Sequence, residues 1–109
     1  MRVIWHPDAQ NRLRQAAAYI QTEYGRRSSA KFIKEVYRSE RLIAKFPYLG
    51  IAEPILADAP VSYRSIVVNR LNKMVYWINE DVIEIVDFWD TCREPKKQAE
   101  QTKQQDSNN

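Results

Sequence analysis

Three cations at strand ends have the types and placement for phosphoryl chemistry. Arg64 is the second residue of "YRSIVVNR", Lys73 opens "KMVYWI", and Arg93 follows "VIEIVDFWD". In a meander, the ends of neighbouring strands lie at one sheet edge, so the three are expected to converge. Such a cluster would bind a phosphate or steady the charge of a phosphorane transition state. The competing reading pairs Arg64 and Arg93 with Glu53, Asp87, Asp90 or Glu94.

The remaining chemical inventory is small. His6 sits beside Pro7 at a helix start and reads as a capping residue rather than a general base. Cys92, the one cysteine, has no partner for a disulfide and none at metal-ligand spacing, so it reads as an incidental thiol. Gly25 and Gly50 are the only glycines, which excludes a glycine-rich phosphate loop. Asp87 and Asp90 are three apart on a strand and are expected on opposite faces. No metal site and no cofactor are implied.

A second pattern concerns charge rather than catalysis. Arg27, Lys31, Lys34, Arg38, Arg41 and Lys45 recur at steps of four, three, four, three and four. At 100° per residue they fall within about 40° of one line, a ridge about 27 Å long. Only Glu35 and Glu40 offer compensation on that helix, whereas a solvated face usually mixes signs. The ridge suits a phosphate backbone or an acidic protein.

The elements that position these residues follow from periodicity. Met1 to Trp5 reads as a first or edge strand. Pro7 and Asp8 suit a helix start, and Ala9, Leu13, Ala16, Ala17, Ile20 and Tyr24 share one helical face. Gly25 reads as a C-terminal cap, giving a helix over 7–24. A serine at 28 or 29 is expected to cap a second helix over 29–46, which Pro47 ends. "FPYLGIAEPILADAPVS", with three prolines and a glycine, reads as a surface connection. Three runs rich in Val, Ile and aromatics follow: Tyr63 to Asn69, Lys73 to Ile78 and Val82 to Asp90.

The order is β-α-α-β-β-β, an α+β fold with an N-terminal helical hairpin on one face of an antiparallel sheet. The last strand has apolar residues in both registers, with Ile83, Ile85 and Trp89 expected on one face and Val82, Val86 and Phe88 on the other. That is the pattern of a central strand, and a partner is expected to cover the face the helices leave free.

Composition sets the outer bounds. At 109 residues the chain suits one domain, and 44% apolar and aromatic content suits a real core. Residues 1–95 are expected to fold, and the polar segment 96–109 reads as a disordered tail. No run is apolar enough to span a bilayer and the N-terminus lacks a signal pattern, so the expected location is cytoplasmic. The net charge of +3 conceals an asymmetry. Residues 1–45 carry ten basic and four acidic residues, whereas 46–95 carry four and eight.

The order and several landmarks resemble the RelE/ParE toxin superfamily of bacterial toxin–antitoxin modules. The stretches that carry the resemblance are "WHPDA", "AAYIQTEYG", "AKF", "FPYLG", "YRSIVV", "KMVYWI" and "VIEIVDFWDTCREP", which together span about 1–95. The resemblance implies a type II toxin held inactive by a cognate antitoxin that wraps it. RelE-like members cleave mRNA on the ribosome with a basic set, here matched by Arg64, Lys73 and Arg93. The tyrosine that RelE-like enzymes place after the last-strand arginine is missing, because 96–109 has no aromatic residue.

ParE-like members poison DNA gyrase without a catalytic set, and the helical hairpin here looks closer to that branch. The expected function is therefore a growth-inhibiting toxin acting through gyrase. The alternatives are a ribosome-dependent endoribonuclease and a non-toxic module that binds nucleic acid through the ridge.

Overall fold

The computed structural model describes residues 1–90 and Thr102. Strand β1 (Arg2–Trp5) leads into helix α1 (Pro7–Tyr24), then helix α2 (Arg26–Lys45). A two-residue strand β2 (Ile51–Ala52) and a 3-10 turn (Pro54–Leu56) follow. Strands β3 (Arg64–Asn69), β4 (Asn72–Asn79) and β5 (Val82–Asp90) complete the sheet. The sheet order is β1-β5-β4-β3-β2. The three-strand meander is antiparallel as expected, but β1 runs parallel to β5, so the sheet is mixed. A parallel pair needs a long crossover, which the helical hairpin and the meander together supply.

Helix α1 begins and ends on the signals in its sequence. Pro7 occupies the first turn, Asp8 faces the positive end of the helix dipole, and the Gly25 amide closes on Gln21. Helix α2 begins three residues earlier than expected. Gly25, at φ 94° and ψ 171°, reverses the chain alone and serves both helices. Ser29 therefore lies inside α2. Its hydroxyl donates to the Ala17 carbonyl and ties the helices together instead of capping one.

The hairpin packs on one face of the sheet. Ala9, Leu13, Phe32, Val36 and Ile43 meet Met74, Tyr76, Ile83, Ile85 and Phe88 there. Phe32 and Phe88 cross edge to face with centroids 5.9 Å apart. Tyr24, expected on the buried stripe, lies at the end of α1 and is 70% exposed.

Two expectations about the sheet are corrected. Val75 pairs with Asp87 while Tyr76 pairs with Ile85, which leaves Val86 as the extra residue of a bulge. A bulge shifts the alternation by one. Phe88 therefore joins Ile83 and Ile85 under the helices, and Trp89 joins Val86 on the other face. That second face is also not left for a partner. The segment read as a surface connection folds over it, and Leu56 and Tyr63 pack on Val75, Val86 and Trp89.

One residue of the polar C-terminal segment is described. Thr102 is buried, its hydroxyl donates to the Asp87 carboxylate, and it accepts from Trp89 Nε1 at 3.2 Å. The Arg12 guanidinium pairs with the same buried carboxylate. Strand β1 ends opposite Ile85, so the rim of β5 beyond it is open to these groups.

Candidate functional site

Arg64 and Lys73 do not converge. Arg64 pairs across the ladder with Tyr76, on the helix-facing side. Lys73 pairs with Trp89, which packs on the opposite face. Strand alternation explains the outcome, because Lys73 is offset by one from the register of Met74 and Tyr76. Arg93, the third member of the expected set, lies outside the described residues, as does Cys92.

Each of the two described cations holds its own chain together. Arg64 donates to the Gly50 carbonyl at 2.7 Å and lies 4.9 Å over the Tyr48 ring. Beside it, the Tyr76 hydroxyl donates to the Pro47 carbonyl at 2.8 Å and accepts the Gly50 amide at 2.9 Å. Burial pushes the Tyr76 phenol above its ordinary pKa, against the opposing pull of the Gly50 amide and the Arg64 charge. Gly50 has no room for a side chain there: a Cβ would stand 2.6 Å from the Tyr76 hydroxyl and 2.9 Å from the Ser65 carbonyl.

On the other face, Lys73 Nζ lies 2.9 and 3.0 Å from the oxygens of Glu53, a carboxylate with no exposed side-chain surface. Ser65 donates to the same carboxylate, and Lys73 stands 5.2 Å over the Trp89 ring. Residues 47–53 are thus clipped from both sides of the sheet edge.

His6 is the N-cap of α1 by position, but its side chain does not cap. Its Nε2 lies 2.8 Å from Glu84 Oε1, and Asn79 donates to the other oxygen at 2.9 Å. Burial pushes the Glu84 carboxyl up, but the hydrogen bonds from His6 and Asn79 outweigh it. The carboxyl lies below its ordinary pKa. Among the described residues, no group of three or more His, Cys, Asp or Glu could hold a metal ion.

The six-cation ridge forms as the spacing predicts. Arg27, Lys31, Lys34, Arg38, Arg41 and Lys45 are all exposed. Among the described residues none of the six has a side-chain hydrogen bond or an ion pair, and Lys45 stands 5.5 Å over the Phe46 ring. Glu40 projects from a different side of the helix, where Trp5 Nε1 donates to its carboxylate at 2.7 Å.

The ridge works against its own helix. Five successive like-charged neighbours at three or four residues each oppose folding by about 0.2–0.5 kcal/mol, on the order of 1–2 kcal/mol together. Arg26 and Arg27 also crowd the positive end of the helix dipole, in a first turn with no acidic residue.

An apolar strip occupies the β2–β3 edge. Leu49, Ile51 and Val67 are 48%, 68% and 60% exposed beside a groove of about 550 Å³ that Pro54 and Ile55 also line. Strand β2 covers only Arg64 and Ser65 of β3, so the outer backbone edge from Ile66 onward has no neighbouring strand among the described residues. Sequence reasoning missed this strip. Its residues are scattered between a connection and a strand, and only the short β2 brings them together.

Two helices on one face of a mixed five-stranded sheet are the frame of a RelE/ParE superfamily toxin. Residues 3–95 match the family model described as the ParE toxin of the type II toxin–antitoxin system parDE. The chain belongs to that family, and it is a toxin component of a type II toxin–antitoxin module.

Two solved structures share the fold. One is described as the chromosomal ParDE TA system from P. aeruginosa. It is 14% identical, with a TM-score of 0.68, over 83% of this chain and 95% of that one. The other is described as a YoeB/ParE toxin from Agrobacterium tumefaciens. It is 16% identical, with a TM-score of 0.58, over 83% of this chain and 98% of that one. No curated protein sequence matches. Among the described residues no helix is long and apolar enough to cross a membrane.

Proposed function

We propose that this toxin arrests growth when free of its antitoxin by binding and inhibiting DNA gyrase, without cutting RNA. The observation that carries the choice is the separation of Arg64 and Lys73 on opposite faces of the sheet. Cleavage by attack of a ribose 2′-hydroxyl needs charge stabilisation and proton transfer at one phosphate. Here one cation fixes the Gly50 carbonyl and the other neutralises buried Glu53. A binding inhibitor needs neither.

The antitoxin, in this reading, covers the apolar strip at the β2–β3 edge. An extended segment there would gain main-chain hydrogen bonds along β3 and bury Leu49, Ile51 and Val67.

Inducing the chain without an antitoxin in a bacterial host tests the reading. Growth should stop, plasmid supercoiling should fall, and mRNA should stay intact by primer extension. Cuts within codons would instead establish ribosome-dependent cleavage. Normal growth with soluble protein present would remove the toxin reading itself.

A further inference from the structure

We infer that the ridge of helix α2 is a docking surface for duplex DNA, holding the phosphate backbone without reading its sequence. The inference does not depend on gyrase being the target.

Three observations carry it. The six cations are exposed, form one straight line, and have no acidic partner among the described residues. Of the helix's two acids, Glu40 is engaged by Trp5 away from the ridge, and Glu35, four residues after Lys31 and three before Arg38, forms no ion pair with either among the described residues. The ridge also runs against helix stability through its like-charge neighbours and its unneutralised first turn. Folding therefore does not account for it, and a ligand of opposite charge does.

The geometry favours a stiff duplex. A rigid line of cations about 27 Å long faces a polyanion that carries one charge per about 1.7 Å of axis. B-form DNA has a major groove wide enough to admit a helix, whereas the corresponding groove of A-form RNA is deep and narrow. Contacts to phosphate position a protein but carry no base information, so affinity should be the same for unrelated sequences.

The test uses the full chain, made by cell-free synthesis and free of any partner protein. Fluorescence anisotropy would follow its binding to a duplex of about 20 base pairs, long enough to span the ridge. Engagement of about five phosphates predicts a slope of log K against log salt near −4.5. Affinity should then fall by roughly two to three orders of magnitude between about 50 and 200 mM salt.

The variant carrying Lys34→Gln, Arg38→Gln and Arg41→Gln should flatten that slope by about 3. The corresponding Lys34→Glu, Arg38→Glu and Arg41→Glu chain should not bind. Circular dichroism melting of each variant shows whether it is folded, and the milder glutamine set decides the matter if the glutamate set is not. The inference would be overturned by no binding at low salt, a slope the glutamine set leaves unchanged, or tighter binding to an RNA duplex of equal length. Equal binding to a poly-glutamate chain of matched charge would also overturn it and assign the ridge to an acidic protein. None of these outcomes bears on whether supercoiling falls in cells, so the gyrase reading stands or falls separately.

Discussion

Lys73 has the chemistry a catalytic reading asks for, but it lies on the face opposite Arg64 and its charge is already engaged. Glu53 is 2% exposed, and its carboxylate has Lys73 as its cation and Ser65 as a further donor. Removing one member of a buried pair leaves the other charge uncompensated, which is worse than removing both. Lys73→Ala should therefore lower stability by about 3–5 kcal/mol, read as a lower urea midpoint with an unchanged slope. The paired change Lys73→Met with Glu53→Gln should recover most of the loss. A Lys73→Ala chain as stable as its parent would return the lysine to the list of functional cations. This pairing spans twenty residues and could not be read from spacing. The ridge could, because all six of its members sit on one helix.

The joint between α1 and α2 shows what was legible at the level of elements. Pro7 and Gly25 bounded the first helix correctly because each signal acts locally. The start of the second was misplaced because Ser28 and Ser29 look like caps, while Gly25 already makes the turn alone. The bulge at Val86 was hidden for a related reason. Residues from Val82 to Trp89 are apolar in both registers, so periodicity carries no mark of an extra residue.

Gly25 has nothing within 4 Å of where a Cβ would lie, so its dihedrals alone demand glycine. They fall in a region that glycine almost exclusively occupies. Gly25→Ala should cost about 1–3 kcal/mol. A synthetic chain with D-alanine there should be at least as stable as the glycine form. A D-residue finds these angles to be the mirror image of ordinary extended backbone, and it restricts the unfolded chain. Thermal unfolding of the three chains checks both statements, and equal melting of the glycine and L-alanine forms would contradict the first.

At the scale of the whole molecule, helices and sheet were legible and the covering of the second face was not. Three prolines made residues 46–62 look like a solvent-facing connection. Leu56 nevertheless closes the second core together with Tyr63, the residue after the segment, and Glu53 anchors the segment to Lys73. The ridge and the apolar strip lie on different elements, so the two proposed contacts, with a polyanion and with an antitoxin, use different surfaces.

The two-sided clip on residues 47–53 has a further consequence, for proteases. Tyr48 is 69% exposed and a good chymotrypsin site by sequence, in a stretch with little regular structure. Cleavage needs several residues of backbone to pull free into an extended shape. Here the Leu49 amide bonds to Phe46, the Gly50 amide to Tyr76, and the Gly50 carbonyl to Arg64. Limited chymotrypsin digestion should spare the Tyr48–Leu49 bond in the parent chain. In Arg64→Ala it should cut there early. A parent chain nicked first at Tyr48 would mean that the clip does not hold. Arg64, first noticed as a candidate for cutting RNA, would then be the residue that keeps its own chain from being cut.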